Sequence, residues 1–66
     1  MQVSIKTEDF KKVCEKVWTQ MANEQMIPAV NYGTAKIKVR KALREDLKIE
    51  VSKETVDKWL KSCYNF

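Results

Sequence analysis

Apolar side chains recur in the first third of the chain at the spacing of an amphipathic helix. From residue 10 they occupy positions i, i+3, i+4, i+7, i+8, i+11 and i+12, which is the period of a helix that buries one face. Thr7 can cap this helix, and Glu8 and Asp9 fall in its first turn, where carboxylates suit the helix dipole. The pattern predicts a helix over about residues 8–23. Its inward residues would be Phe10, Val13, Cys14, Val17, Trp18, Met21 and Ala22.

Two shorter helices are predicted in the second half of the chain. Thr34 is a candidate N-cap for a helix over about residues 35–46, and Ser52 for one over about residues 53–63. The inward face of the second would hold Ala35, Val39, Ala42, Leu43 and Leu47, with Ile37 off that stripe and free to pack at the edge or touch a partner. The inward face of the third would hold Val56, Trp59, Leu60 and Cys63.

The connector between the first and second helices contains a proline and the chain's single glycine. Pro28 favours an extended Ile27, and Asn31-Tyr32-Gly33 is typical of a turn in which Gly33 takes a positive φ. Tyr32, off every apolar stripe, would be a loop anchor or a contact residue. The apolar run from Met26 to Val30 should lie over the core.

Two segments alternate apolar and polar residues, which is the period of a strand. These are Gln2–Ile5 and Leu47–Val51, and two short paired strands are one outcome. Three helices around one core is the plan of helix-turn-helix domains. About five residues join the second and third helices, more than a tight motif uses. The prediction is a mainly α, three-helix, helix-turn-helix-like bundle, with a minimal two-stranded sheet as a winged-helix-like variant.

Composition restricts the class of protein. Sixty-six residues allow a single domain, 1–66, which buries roughly 60% of its unfolded surface. No apolar run could span a membrane, and the N-terminus lacks the apolar region of a signal peptide. Without histidine, a Gly-rich loop or a nucleophile motif, an enzyme, a cofactor or a bound metal is not expected. Cys14 and Cys63 fall on core faces; free thiols suit an intracellular protein, and a disulfide between them stays open.

The net charge of +4 is confined to one stretch of the chain. Residues 34–48 hold six cations against two acids, whereas residues 1–33 and 49–66 each sum to zero. Both arginines lie in this stretch, and arginine is the side chain best suited to bidentate phosphate contact. Lys36, Arg40 and Arg44 follow the i, i+4, i+8 spacing of one helix face, flanked by Lys38 and Lys41. The alternative is an ordinary solvated lysine-rich face.

Residues Thr34 to Leu60 resemble two families of helical DNA-binding domains. In the C-terminal domain of the DEK chromatin proteins, a Thr precedes a helix with Val-Arg and Leu, followed by an extended apolar-x-apolar-Ser segment and an amphipathic helix. The N-terminal domain of plasmid KfrA-type proteins is similar, with Val-Arg-x-x-Leu before a Ser-capped helix. From Thr34 to Val39 this chain is one residue longer than the DEK pattern. The matching positions are Thr34, Val39-Arg40, Leu43, Leu47, Ile49, Val51-Ser52, Val56, Trp59 and Leu60.

Charge and fold together predict a small intracellular domain that binds nucleic acid, with duplex DNA favoured. The basic second helix would contact phosphates, as in a transcriptional, plasmid or phage regulator, and a homodimer would double the charge. Glu54 and Asp57 oppose phosphate approach to the third helix. The alternative function is a protein-interaction module or inhibitor that docks on a partner protein. The candidate DNA-binding residues are Thr34, Lys36, Lys38, Arg40, Lys41, Arg44, Lys53, Thr55 and Lys58.

Overall fold

Each amphipathic stretch of the sequence forms a helix. The computed structural model describes residues 5–66, and its elements are α1 (Thr7–Asn23), α2 (Tyr32–Asp46) and α3 (Lys53–Tyr64). The predicted mainly α, three-helix architecture is confirmed over these residues. α2 is the central helix, because it packs against both α1 and α3.

The core is built from the predicted inward faces of the three helices. Ten side chains are buried, and no polar or charged side chain is buried among the described residues. Leu47, Trp18, Ala42, Trp59 and Cys63 pack against the core while partly exposed, whereas Ala22, at the edge of its stripe, is exposed. The buried residues are Phe10, Val13, Cys14, Val17, Met21, Ala35, Val39, Leu43, Val56 and Leu60.

Aromatic pairs bridge α1 and α3. Phe10 and Trp59 meet edge to face with ring centroids 5.5 Å apart, and Trp18 and Tyr64 meet in the same way at 5.8 Å. Phe66 extends this contact, with its ring centroid 6.0 Å from that of Trp18. Such pairs contribute about 0.5–1.5 kcal/mol each beyond the area they bury. They therefore hold together two helices whose backbones make few direct contacts.

The helix starts differ from two of the three predicted caps. Ser52 caps α3 as expected, since its Oγ accepts a hydrogen bond from the Thr55 amide at 3.3 Å. Thr7 and Thr34 are not caps: α1 starts at Thr7 after Lys6, and α2 starts at Tyr32 after Asn31, both without a side-chain cap bond.

The connector before α2 also departs from the prediction. The Val30 and Asn31 amides both donate to the Ile27 carbonyl, at 3.0 and 2.7 Å, so a helical turn leads directly into α2. Gly33 therefore lies inside the helix and has no positive φ. Of the apolar run, Met26 packs on the core, but Ile27 is 60% exposed and Val30 76% exposed. The expected burial of the whole run is wrong.

The predicted strand over Leu47–Val51 is absent, so the described residues contain no sheet. Lys48 adopts φ 57°, in the left-handed region, which interrupts any extended run. The amides of Leu47 and Ile49 both donate to the Leu43 carbonyl, at 3.0 and 3.2 Å, which folds this segment back onto the end of α2. Residues 2–4 of the other predicted strand lie outside the described residues, and Ile5 is in no strand.

The end of α1 forms a Schellman motif without glycine. The Met26 amide donates to the Met21 carbonyl at 2.8 Å, and the Gln25 amide to the Ala22 carbonyl at 3.0 Å. This geometry requires Gln25 to adopt φ 61°. The left-handed conformation costs a residue with a Cβ roughly 1–2 kcal/mol, and glycine is the usual residue there.

Replacement of Gln25 by glycine should stabilise the protein by about 1 kcal/mol, because it removes the strain at this position. Thermal unfolding should show a Tm about 4–8 °C higher than that of the wild type. The matched control is Gln20→Gly, in the exposed interior of α1, which should lower stability by about 1 kcal/mol. A Gln25→Gly variant no more stable than wild type would contradict the strained cap.

Three neutral proton donors are held inside the packed helices. Burial raises the pKa of the Cys14 thiol from about 9 to about 12, and the thiol shares a hydrogen bond with the Tyr64 hydroxyl. Burial likewise raises the pKa of Tyr32 and of Tyr64 from about 10 to about 12. Cys14 and Cys63 are both free. The fold therefore favours the protonated forms of these groups.

The free energy of unfolding should be nearly constant between about pH 7 and 9 and fall between about pH 9 and 12. In this window the unfolded state releases these protons first, because its pKa values are the lower ones. Urea denaturation at pH 7, 9, 10 and 11 measures the decline. In Cys14→Ala, the decline should begin only near pH 10, the ordinary value of tyrosine. An unchanged onset would show that the thiol does not contribute.

Candidate nucleic-acid interface

The face of α2 opposite the core carries the exposed cations of the helix. Ala35, Val39 and Leu43 are buried, so the 3.6-residue period turns a second set of side chains outward. We call this set the outer face of α2. All five of its residues are exposed: Gly33, Ile37, Arg40, Lys41 and Arg44.

The outer face is grooved. Ile37, Arg40, Lys41 and Arg44, together with Glu50 from the following loop, line an open concavity of about 170 Å³. A neighbouring concavity of about 530 Å³ is lined by Lys41, Arg44, Glu45, Lys48 and Glu50. Four cations and two carboxylates therefore surround adjoining depressions at the C-terminal end of α2.

Arg40 is held in place by the loop between α2 and α3. Its Nε donates a hydrogen bond of 2.8 Å to the backbone carbonyl of Val51. This bond uses one of the five guanidinium N–H donors and leaves the two terminal amino groups for other acceptors. The guanidinium is thus oriented without being neutralised.

The ion pairs of the described residues lie elsewhere. Lys16 pairs with Asp46 at 2.9 Å, Lys38 with Glu24 at 3.2 Å, and Lys61 with Asp57 at 3.1 Å. None of these three pairs uses a cation of the outer face. Over residues 5–66, the charges of Arg40, Lys41 and Arg44 are therefore not compensated by a direct carboxylate contact.

Only some of the cations predicted to line α2 lie on its outer face. Lys36 is half-buried, and its Nζ lies 5.0 Å from the centroid of the Tyr32 ring, in a cation–π contact. Lys38 turns toward Glu24 at the end of α1. Thr34 is half-buried in the first turn. Among the six candidates on α2, the outer face unites only Arg40, Lys41 and Arg44.

The candidates on α3 do not form a comparable site. Lys53 and Lys58 are exposed, but none of their contacts links them to the outer face of α2. Thr55 is half-buried, and its hydroxyl lies 3.1 Å from that of Ser52. Lys53 and Thr55 lie in the first turn of α3, and Lys58 lies on its solvent-exposed side.

Tyr32 anchors the start of α2 to α3. Its hydroxyl donates to Asp57 Oδ1 at 2.6 Å, and its ring packs against Phe66 with centroids 4.9 Å apart. The bonds from Tyr32 and Lys61 hold the pKa of Asp57 below its ordinary value. Asp57 is thus engaged inside the fold. Of the two interpretations of Tyr32, the structure supports the anchor.

Four residues that line the grooved surface lie outside the predicted candidate set: Ile37, Glu45, Lys48 and Glu50. The sequence pattern places Lys48 in a strand, but this residue follows α2 in a left-handed cap and lines the larger concavity. Glu50 brings a carboxylate to both concavities. The position of Lys48 just beyond a basic helix could have suggested its role, whereas no sequence signal indicated that of Glu50.

No family model, no curated protein and no solved structure matches the chain significantly. None of the helices within residues 5–66 is both long and apolar enough to cross a membrane. In that same part of the chain, no three His, Cys, Asp or Glu residues are grouped so that they could hold a metal ion.

Proposed function

We propose that this protein binds nucleic acid, with duplex DNA favoured, through phosphate contacts of the outer face of α2. One observation carries this proposal: Arg40, Lys41 and Arg44 share one exposed face and, among residues 5–66, no carboxylate pairs with them. Two other lysines of α2 are engaged elsewhere, Lys36 by the Tyr32 ring and Lys38 by Glu24. Uncompensated cations at helical spacing attract a polyanion and release its counterions on binding.

The orientation of Arg40 supports a phosphate as the ligand. The Val51 carbonyl fixes the guanidinium at Nε, so less side-chain entropy is lost when the terminal amino groups bind two phosphate oxygens. Glu45 and Glu50 weaken the local positive potential without cancelling it, since Lys48 adds a fourth cation. The surface therefore favours a ligand with several negative charges over a single anion.

A duplex is favoured over an unpaired strand because the chain offers no free stacking surface. All six aromatic side chains belong to the core or pack against it. Proteins that bind single strands place exposed aromatic rings between their cations. A role as a DNA-binding regulator of the kind suggested by the DEK-like and KfrA-like patterns, an intracellular location and a homodimer belong to the same proposal.

The double variant Arg40→Glu, Arg44→Glu should bind duplex DNA roughly tenfold or more weakly than wild type. The slope of log affinity against log salt should become shallower by about 2, because two phosphate contacts are lost. Fluorescence anisotropy with a random duplex, a single-stranded DNA and an RNA at two salt concentrations measures both quantities.

The matched control is Lys11→Glu, Lys12→Glu. It changes the net charge by the same amount on the exposed face of α1. Its affinity should fall much less, through long-range electrostatics alone. Equal losses in the two double variants would mean that net charge and not the outer face of α2 causes binding. Wild-type affinity in the arginine variant would remove the proposed site.

A protein-interaction module is the second candidate, and the turn before α2 favours it. Ile27 and Val30 are 60% and 76% exposed, and they lie in one turn, since the Val30 amide donates to the Ile27 carbonyl. Tyr32, Met26 and Phe66, which could also have marked such a surface, pack against the core instead. Ile37, on the outer face of α2, is the remaining large apolar side chain that is exposed among the described residues, so the apolar surface available to a partner is small.

Size-exclusion chromatography at low and high salt separates the two candidates. The protein-interaction function predicts self-association or complex formation that persists at high salt and is lost in Ile27→Ser, Val30→Ser. Both residues are exposed, so this variant should fold with a stability close to that of wild type. Salt-sensitive duplex binding, by a protein whose oligomeric state is the same in Ile27→Ser, Val30→Ser as in wild type, would leave only the first candidate.

A further inference from the structure

The outer face of α2 is cationic in its C-terminal half but not in its N-terminal half. Its C-terminal half carries Arg40, Lys41 and Arg44, whereas its N-terminal half presents Gly33 and Ile37. Two lysines adjoin this half in sequence, but Lys36 lies over the Tyr32 ring and Lys38 pairs with Glu24. The N-terminal half of the outer face therefore presents no charged side chain of its own, beside a strongly cationic C-terminal half.

The uncharged half suits close approach of a ligand. A Cβ built on Gly33 would meet nothing within 4 Å, so the helix backbone itself is accessible there. Ile37, one turn further, is 55% exposed and lines the same concavity as Arg40 and Arg44. A large apolar side chain beside a phosphate-binding surface has no role in contacting phosphate. It fits a ligand that presents apolar groups between its phosphates.

The B-form major groove combines these features. It admits an α-helix, is bordered by phosphates, and presents the thymine C5-methyl group as an apolar contact. Helix-turn-helix proteins place the N-terminal residues of the reading helix against the base edges. Here α3 is less suited to that position, because Glu54 and Asp57 lie in its first half and Thr55 is half-buried beside Ser52.

We propose that α2 is the helix that lies in the major groove and that Ile37 contacts thymine methyl groups there. This inference rests on the proposed function. Gly33 and Ile37 face the base edges, while Arg40, Lys41 and Arg44 contact the bordering phosphates. The ligand is then thymine-containing B-form DNA. Duplex RNA is a poor ligand, since uracil lacks the methyl group and the A-form major groove is too narrow for side chains to read.

The test compares two duplexes of one A·T-rich sequence, one with thymine and one with deoxyuridine in its place. By fluorescence anisotropy, wild type should bind the thymine duplex about fourfold more tightly, the value of one buried methyl group. Ile37→Ala should bind both duplexes equally, at about the affinity of wild type for the deoxyuridine duplex. Thermal unfolding checks that the variant remains folded.

Val30→Ala is the matched control, because Val30 is an exposed β-branched residue outside the outer face of α2. It should keep the fourfold preference for thymine. Binding of wild type to both duplexes with equal affinity would overturn this inference while leaving the proposed function intact. A preference that survives in Ile37→Ala would do the same. Binding to neither duplex at low salt, or to an acidic polypeptide alone, would overturn both.

Discussion

The rotation of α2 about its own axis determines the chemistry of the molecular surface. Ala35, Val39 and Leu43 are completely buried between α1 and α3. Turning α2 by one residue would bring Arg40 to the buried position of Val39 and move Leu43 to the half-buried position of Ala42. The first change would bury an unpaired charge, and the second would give up part of the roughly 1.5–3 kcal/mol that a buried leucine contributes. Because this alternative is so unfavourable, the positions of Ile37, Lys41 and Arg44 on the outer face follow from those of the buried residues.

Contacts at both ends of α2 help to fix this rotation. At its start, α2 is tied to α3 by the Tyr32–Asp57 hydrogen bond, and at its end to α1 by the Lys16–Asp46 ion pair. The pair is exposed and contributes little alone, whereas the aromatic contacts between α1 and α3 contribute more. Because residues 5–66 bury ten side chains, such peripheral contacts are a considerable part of the total stability.

Apolar periodicity was sufficient to predict the helices and most of the core, because burial of a continuous stripe dominates the energetics of a small bundle. Local chemistry predicted less. Ser52 accepts an amide hydrogen bond as expected, but Thr7 and Thr34 do not. Thr7 is already the first residue of α1, and Thr34 lies inside α2, because the turn at Ile27 leads directly into that helix. The alternation over 47–51 resembled a strand, yet Lys48 in a left-handed conformation closes the end of α2. An alternating pattern of only five residues is too short to predict a strand where the same residues can cap a helix.

The composition of the site was predictable only in part, because side-chain partners from distant segments decide which cations are free. Glu24, 14 residues before Lys38 in the chain, forms an ion pair with that lysine, and the Tyr32 ring contacts Lys36. Both contacts lie at the N-terminal half of α2, so neither lysine belongs to the outer face around Ile37. Glu50 acts at the other end, where it stands in both concavities. A carboxylate there lowers the affinity for any polyanion, and it makes binding depend more strongly on contacts other than charge. In the proposed complex with DNA, the apolar contact of Ile37 and the oriented guanidinium of Arg40 would then contribute a larger share of the binding free energy. Under that proposal, a surface of this composition would favour selection among duplexes over tight binding to all of them.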